Sequence, residues 1–486
     1  MSALQQAVID FLSDPASYGR PDARVERVET HCSIVFLVAD GAYKLKRAIR
    51  FASLDYTTVE RRRAACESEL RLNARTAPDL YLAVRAITCG VDGTLAFDGT
   101  SPALDHVVVM RRFAQSALFD CMAEAGQLTP PLMRDLGTTI ARFHADAPVV
   151  RTLGGSDGTR RMIADNDRKL ARVGATLDGA PVATLGVRTR ETLGRIADLL
   201  DVRRAEGRVR RCHGDLRLAN ICLFANRPTL FDCIEFDEDI GSIDVLYDLA
   251  FLLMDLHLRG RGDLGNVVLN AYLDRTHETG GLRVMPLFLS LRAATRSYAL
   301  ATAAGRRADA NEARALVAQA RRHIAAALGF LDVRAPVLIL LGGDDRDRAE
   351  TAASLAARVA PPPGARALHA ERGGVARSPG GAGGRLPGPA GRPVHRQRRM
   401  HCHRRPAAGR WPAGVLARLP AAWPGPADLA DRAGRPGWDR GWDRSHGRSG
   451  EVRCSSVVAG FGPAIHVFAA ISTARRGWPG QAQPRH

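Results

Sequence analysis

One short stretch of this sequence gathers side chains that can move a phosphoryl group. It reads Arg211-Cys-His213-Gly214-Asp215-Leu-Arg217-Leu-Ala-Asn220-Ile-Cys-Leu-Phe224. After a hairpin-like Asn226-Arg227-Pro228 it resumes as Thr-Leu-Phe231-Asp232-Cys-Ile-Glu235-Phe236. A polar turn is followed five residues later by Asn, then an apolar strand, a turn, and a second strand ending in Asp. Phosphoryl transfer from a nucleotide needs one carboxylate to orient the attacking hydroxyl and accept its proton. It also needs oxygen ligands that hold Mg2+ against the phosphates. Asp215 suits the first task, and Asn220 with Asp232 the second. All are oxygen donors, as a hard cation requires.

Two kinds of element must position these groups. The first 110 residues read as short strands around one helix. Val25–Glu29, Ile34–Ala39 and Ala42–Ile49 are β-prone, and Asp40-Gly41 signals a tight hairpin between the last two. Tyr56–Ala74 reads as a helix with Thr57 or Thr58 as its cap. Leu80–Thr88 and His106–Met110 read as further strands. From Pro131 to about Leu331 the pattern is mostly helical, broken near Gly154–Gly158 and by a strand-rich island at Arg211–Phe236. Val245–Leu258 is apolar nearly all round, with Asp248 and Asp255 inside it, which predicts a buried helix. Glu312–Leu331 reads as the amphipathic helix that closes this region.

The His213-Gly-Asp-Leu-x-x-x-Asn220 loop, Asp232 downstream, and Asp244-Val-Leu-Tyr-Asp248-Leu-Ala resemble the aminoglycoside phosphotransferase and choline-kinase relatives of the protein kinases. The chain is more similar still to a bacterial family of bifunctional aminoglycoside phosphotransferase-like and ATP-binding proteins. That resemblance rests on Phe231-Asp-Cys-Ile-Glu-Phe236, Ile243–Asp255, Glu29-Thr-His-x-Ser33 and Tyr43-Lys-Leu-Lys46, and it covers roughly residues 5–331. It implies an α+β, protein-kinase-like two-lobe fold: a small antiparallel-sheet lobe over 1–110 and a mainly helical lobe over 111–331. The implied activity is ATP- and Mg2+-dependent transfer to a hydroxyl of a small molecule, with Asp215 as base. Lys46 would contact the α/β-phosphates, paired with Glu69, or with Glu67 as the rival. Lys44 is the competing lysine, and strand alternation puts it on the same face as Lys46. The whole chain has only three Lys, at 44, 46 and 169, so two on one strand suggest that an ammonium is wanted there. Thr30–Ser33, in place of a glycine-rich loop, would cover the phosphates. Val109-Met110-Arg111-Arg112 would join the lobes and offer backbone to adenine. Arg217 stands where the family more often has His, which bears on a neighbouring contact and not on the loop.

Plainer readings compete at several positions. His213 is expected to orient the loop through backbone contacts, and Asp248 to hold that loop as a buried carboxylate. His144 reads as a packed helix histidine. Glu235 faces substrate or is a surface carboxylate. Arg292 and Arg296, one helical turn apart, suit either an anion or a solvated helix face, and the solvated face is the reading taken. The acceptor itself stays open. Asp237, Glu238 and Asp239 could line a pocket for a polycation or form a solvated loop, and an endogenous metabolite fits the pattern as well as an antibiotic.

Beyond residue 331 the character of the chain changes. Val337–Leu341 followed by Gly342-Gly343 resembles the opening of a P-loop domain, the second half of that bifunctional family. The next residues, Asp344-Asp-Arg-Asp-Arg-Ala-Glu-Thr351, lack the Lys and bring three Asp to where phosphates would lie. Residues 332–360 therefore read as a degenerate P-loop remnant. Residues 361–486 carry +15 of the chain's +18, no Lys, 16 of 27 Pro and all five Trp. That composition reads as a low-complexity tail, disordered or out of frame. It offers nucleic acid only non-specific contact. A silent nucleotide-binding scaffold, or a nucleic-acid binder working through the tail, are the alternatives to an enzyme. No run of 18 apolar residues predicts a membrane helix. Met1–Leu12 has no signal-peptide pattern, and the nine scattered Cys suit a reducing cytoplasm. His401-Cys402-His403 lacks a second zinc-ligand pair.

Overall fold

The structure, a computed structural model, describes residues 3–30, 32–51, 54–332, 338–341, 365–369 and 465–469. Alternation builds its front lobe. In strand β2 (Ser33–Val38), Ile34, Phe36 and Val38 point to one side and Ser33, Val35 and Leu37 to the other. Helix α1 (Ala3–Ser13) covers the first side, laying Val8, Ile9 and Leu12 on Ile34, Phe36, Leu45, Ile87 and Val107. The sequence pattern gave no warning of this helix. β1 (Val25–Glu29) and β3 (Gly41–Lys46) flank β2. A small hairpin of β4 (Arg50–Phe51) and β5 (Leu54–Asp55) then leads into α2 (Val59–Asn73). Thr58 caps α2, its hydroxyl accepting from Arg61 N at 3.3 Å. β6 (Tyr81–Cys89), β7 (Leu95–Phe97) and β8 (Ala103–Arg111) complete a six-stranded antiparallel sheet in the order β1-β2-β3-β8-β6-β7.

Two boundaries differ from expectation. Val38 pairs with Gly41, so the β2–β3 turn is Ala39-Asp40, one residue early, with Ala39 in the left-handed region at φ 48°. β3 stops at Lys46, not Ile49: Arg47 N still bonds Cys32 O at 2.9 Å, but Ile49 N then turns back onto Arg47 O at 2.8 Å, which takes the chain out of the ladder.

The rear lobe begins with α3 (Phe119–Glu124), α4 (Pro130–Asp146), α5 (Gly155–Arg172), α6 (Gly174–Leu177) and α7 (Gly179–Ala205). The strand-rich island resolves into β9 (Val209–Arg211) and the hairpin β10 (Ile221–Phe224) with β11 (Arg227–Leu230). Ala225 and Asn226, at φ 47° and 59°, make its two-residue turn. A short α8 (Glu238–Gly241) and β12 (Ser242–Asp244), paired with β9, lead into α9 (Val245–Leu258). α9 is buried on every side, as its composition requires, and α10 (Gly262–Thr276), α11 (Met285–Ala304) and α12 (Ala310–Phe330) pack around it. A small antiparallel-sheet lobe followed by a mainly helical one is the protein-kinase-like arrangement.

Three short strands follow: β13 (Leu338–Leu341), β14 (Ala365–His369) and β15 (Ile465–Ala469). They form a parallel sheet with β15 in the middle. β13 falls on the strand expected at 337–341. β14 and β15 lie where only low-complexity chain was expected; Ile465-His-Val-Phe-Ala is an apolar, β-prone run within it. The Gly342–Thr351 segment and the rest of the tail lie outside the described residues. Among the described residues, no helix is long and apolar enough to cross a membrane.

Candidate active site

Alternation on β3 sends Ala42, Lys44 and Lys46 to the face covered by α2. On α2, Glu69 is fully buried and meets both lysines: Lys44 Nζ donates to Oε1 at 2.8 Å and Lys46 Nζ to Oε2 at 2.6 Å. Glu67 is elsewhere, on the exposed side of α2, accepting from Arg63 at 2.8 Å. Each lysine also reaches a second acid in the rear lobe. Lys44 donates to Asp232 Oδ1 at 2.6 Å, and Lys46 donates to Glu235. Tyr56 gives its hydroxyl to the same Glu235 oxygen at 2.6 Å, with Lys46 Nζ 5.1 Å over its ring.

These four charges differ in access. The Lys46 side chain is 1% exposed and Glu235 8%, whereas Lys44 is 15% and Asp232 42% exposed. Glu235 is thus neither substrate-facing nor on the surface, but a buried tie between the lobes. Burial works against every charge here, and mutual attraction overrides it. Glu69 is held below the usual carboxylate range by Lys44 and Lys46. Asp232, against its burial, is held at about 2, chiefly by Lys44. Both lysines stand well above their ordinary value despite burial, Lys44 through Asp232 and Glu69, Lys46 through Glu235 and Glu69.

The loop bearing Asp215 is fixed from beneath. Asp248, on α9, accepts from His213 N at 3.0 Å and Gly214 N at 2.9 Å, and His144 Nε2 lies 3.2 Å from it. His144 is in turn 3.0 Å from the Tyr272 hydroxyl. Burial would raise the Asp248 carboxyl, yet the His144 hydrogen bond, His144, His213 and Arg292 hold it at about 2. Gly214 sits at φ 87°, and a Cβ there would come within 3.0 Å of Ile234, so only glycine fits. His213 Nε2 lies 2.9 Å from Phe231 O, tying the loop to β11's end. Asp255, further along α9, accepts from Leu218 N at 3.1 Å. His144, Cys212 and Asp248 lie close enough together to suggest a metal group. Their donors are already engaged, Cys212 with Ile243 O, which makes them a structural hub.

Asn220 Nδ2 donates to Asp215 Oδ2 at 2.7 Å and to Asp215 O at 2.9 Å, which turns its Oδ1 away from Asp215. Phe231 N donates to Asn220 O at 3.1 Å, so Asp232 follows directly beside Asn220. Asp232 adopts φ 63°, with its N–H on the Tyr81 hydroxyl at 3.2 Å, and Asn73 Oδ1 accepts from Cys233 N at 2.9 Å. One Asp232 oxygen faces Lys44; its side chain is otherwise the most open of the group. A free amide oxygen beside a half-exposed carboxylate fits a Mg2+ ligand set. Arg217 Nε lies 3.2 and 3.3 Å from the two Asp215 oxygens.

The remaining expected residues fall as follows. Ser33 is buried opposite Lys46, its N–H on Thr30 Oγ1 at 2.9 Å. Met110 lies inside the ladder between Ala42 and Tyr81, so chain free of the sheet begins only at Arg112. Its side chain instead joins an apolar cluster that spans both lobes and includes Val35, Ala42, Phe113, Cys222 and Phe231. Asp237 caps α8 through Asp239 N and Ile240 N. Arg292 is not solvated: at 4% exposure it bonds Tyr247 O at 3.1 Å and lies 3.7 Å from Asp248. The first half of α11, Met285–Ala294, is apolar enough to be buried all round, which its charged position conceals. No sequence signal points to Tyr56, and for Glu235 the only one is its place three residues after Asp232.

The phosphotransferase enzyme family matches residues 40–287, just over half of the sequence, and the chain belongs to that family. An uncharacterized protein of Mycobacterium tuberculosis is 29% identical over 273 residues, 55% of this chain and 53% of that protein. The chain thus spans about half the length of the curated relatives it matches. Among solved structures, an ethanolamine kinase of Plasmodium vivax aligns with a TM-score of 0.41 at 11% identity, covering 67% of this chain and 92% of that one. A choline/ethanolamine kinase family protein of Mesorhizobium loti aligns with a TM-score of 0.39 at 13% identity, covering 68% and 99%.

Proposed function

We propose that this phosphotransferase moves the γ-phosphoryl group of ATP to a hydroxyl of a small molecule. The observation that carries the reading is Lys44: one ammonium joins Glu69 of the front lobe to Asp232 of the rear lobe, beside the Asp215–Asn220 loop. Asp215 orients the acceptor hydroxyl and takes its proton. Asn220, by bonding Asp215, fixes the base and keeps its own oxygen for metal. Asn220 Oδ1 and Asp232 would hold Mg2+, which when bound supplies positive charge to the phosphate oxygens.

Of the two lysines, Lys44 is the one assigned to the nucleotide phosphates. It is the more open, and its partner Asp232 is the proposed metal ligand. Lys46, sealed between Glu69, Glu235 and Tyr56, holds the lobes together. Arg217, beside Asp215, can neutralise charge on the group in transit. The apolar cluster of Val35, Ala42, Met110, Phe113 and Phe231 suits an adenine ring.

ADP release with ATP, Mg2+ and a panel of hydroxyl acceptors tests this. Asp215→Asn is expected to lower turnover at least ~10²-fold, the low end for a positioned base, while AMP-PNP binding is kept. Unchanged turnover in that variant would remove Asp215 from the chemistry.

A further inference from the structure

The charges around the base bear on what the acceptor is. Helix α11 packs along α9, and the register can be followed by its arginines. Arg292 meets Tyr247 and Asp248, and stacks on Phe251 with 4.7 Å between guanidinium and ring centroid. Phe288 lies edge-on to Tyr247 and Arg292, one turn later, lies over Phe251, so α11 runs beside α9 in the same direction. Arg296, one turn further, comes towards Asp255, the part of α9 that holds Leu218 and so the Asp215–Asn220 loop. Arg296 is half-buried there and feels Asp215 and Arg217 as well.

The neighbouring charges are already matched. Asp215 is met by Arg217 and Asn220. Asp255 is met by Arg259 at 3.1 Å, and Arg259 also by Glu124 at 3.3 Å. Arg296 has no hydrogen bond or ion pair among the described residues. Burial and the guanidinium of Arg217 oppose its charge more than Asp215 and Asp255 favour it. On α12, His323 faces the same neighbourhood and spends its Nδ1 on Gln319 O at 2.8 Å. A half-buried guanidinium left over near the Asp215–Asn220 loop disfavours a cationic acceptor and lacks an anion.

We propose that the acceptor hydroxyl belongs to a molecule bearing a phosphate or carboxylate group, and that Arg296 binds that group, with Arg217 alongside. This rests on the phosphotransferase reading and adds the acceptor's charge class to it. Arg296 is then a specificity-determining residue, and polycationic antibiotics are poor acceptors.

The test uses the full chain saturated with AMP-PNP and Mg2+, titrated calorimetrically with glycerol 3-phosphate, glycerate, glycerol and kanamycin. One or both anionic probes should bind, and which one does separates phosphate from carboxylate. Glycerol and kanamycin should not. Arg296→Gln should weaken the anion at least ~10-fold, about 1.4 kcal/mol, at unchanged AMP-PNP affinity, and Arg296→Lys should restore part of it. An unaltered melting temperature guards against misfolding. Kanamycin binding more tightly than the anions, anions binding no better than glycerol, or anion affinity untouched by Arg296→Gln would each overturn the proposal. Equal weakening of AMP-PNP would reassign Arg296 to the nucleotide and overturn it too. If AMP-PNP itself fails to bind, the phosphotransferase reading falls and takes this one with it. Bound AMP-PNP without anion preference sinks the acceptor class alone.

Discussion

Glu69 in the front lobe and Asp248 in the rear lobe are both fully buried carboxylates held below their ordinary range, yet they are satisfied in different currencies of contact. Asp248 takes two backbone N–H groups and His144, partners that cannot leave without unmaking the loop. Glu69 takes two lysine ammonium groups, each of which also holds an acid across the cleft. Backbone partners make a fixed frame. Flexible ammonium groups make a junction whose contacts can be exchanged for others. The rear-lobe acid is framework, and the front-lobe acid is a junction.

Removing each acid is the strongest way to break this contrast. Asp248→Ala strands two buried N–H groups and leaves His144 and Arg292 without their carboxylate. It should cost about 3–5 kcal/mol in urea unfolding, with turnover lost. Glu69→Gln keeps shape but leaves two buried lysines with one acid each. A loss of about 2–3 kcal/mol is expected, together with weaker AMP-PNP binding in calorimetry. If Asp248→Ala proves the milder of the two, the assignment of frame and junction is reversed.

A gentler probe is pH. The folded Asp248 value of about 2 lies below the ordinary carboxylate value of about 3.9. Its stabilisation is therefore complete above about pH 4 and is lost as pH falls towards 2. Wild type should lose about 2 kcal/mol of its advantage over Asp248→Asn across that window. A stability difference that stays flat from pH 4 to pH 2 would contradict the role given to His144 and Arg292. The smallest effect is expected at Tyr56→Phe, which removes one hydrogen bond to a charged, buried Glu235. About 1.5 kcal/mol is expected, with AMP-PNP affinity little changed, as the proposed assignment of the phosphates to Lys44 requires.

Much of this was legible in the sequence because the rear-lobe chemistry is local. Asp215, Asn220 and Asp232 lie within one loop and one hairpin, so spacing alone groups them. The all-apolar α9 with Asp248 inside it announces a buried carboxylate. Alternation on β3 puts Lys44 and Lys46 on one face but cannot separate them. What separates them is partners 188 and 189 residues away, Asp232 and Glu235. The same limit hid the bond of His144 to Asp248, 104 residues distant, and the burial of Arg292 in a helix whose charges looked like a solvated face. The end of β8 was hidden for another reason: the strand runs one residue past Met110, which only the pairing with β3 and β6 reveals.

The central claim is that Lys44 and Asp232, from opposite lobes, serve one nucleotide. AMP-PNP affinity measured against Mg2+ concentration, in wild type, Lys44→Met and Asp232→Asn, tests it most directly. Wild type should bind more tightly as Mg2+ rises, Asp232→Asn should lose that dependence, and Lys44→Met should bind at least ~10-fold more weakly, about 1.4 kcal/mol. Wild-type affinity and Mg2+ response in both variants would contradict it.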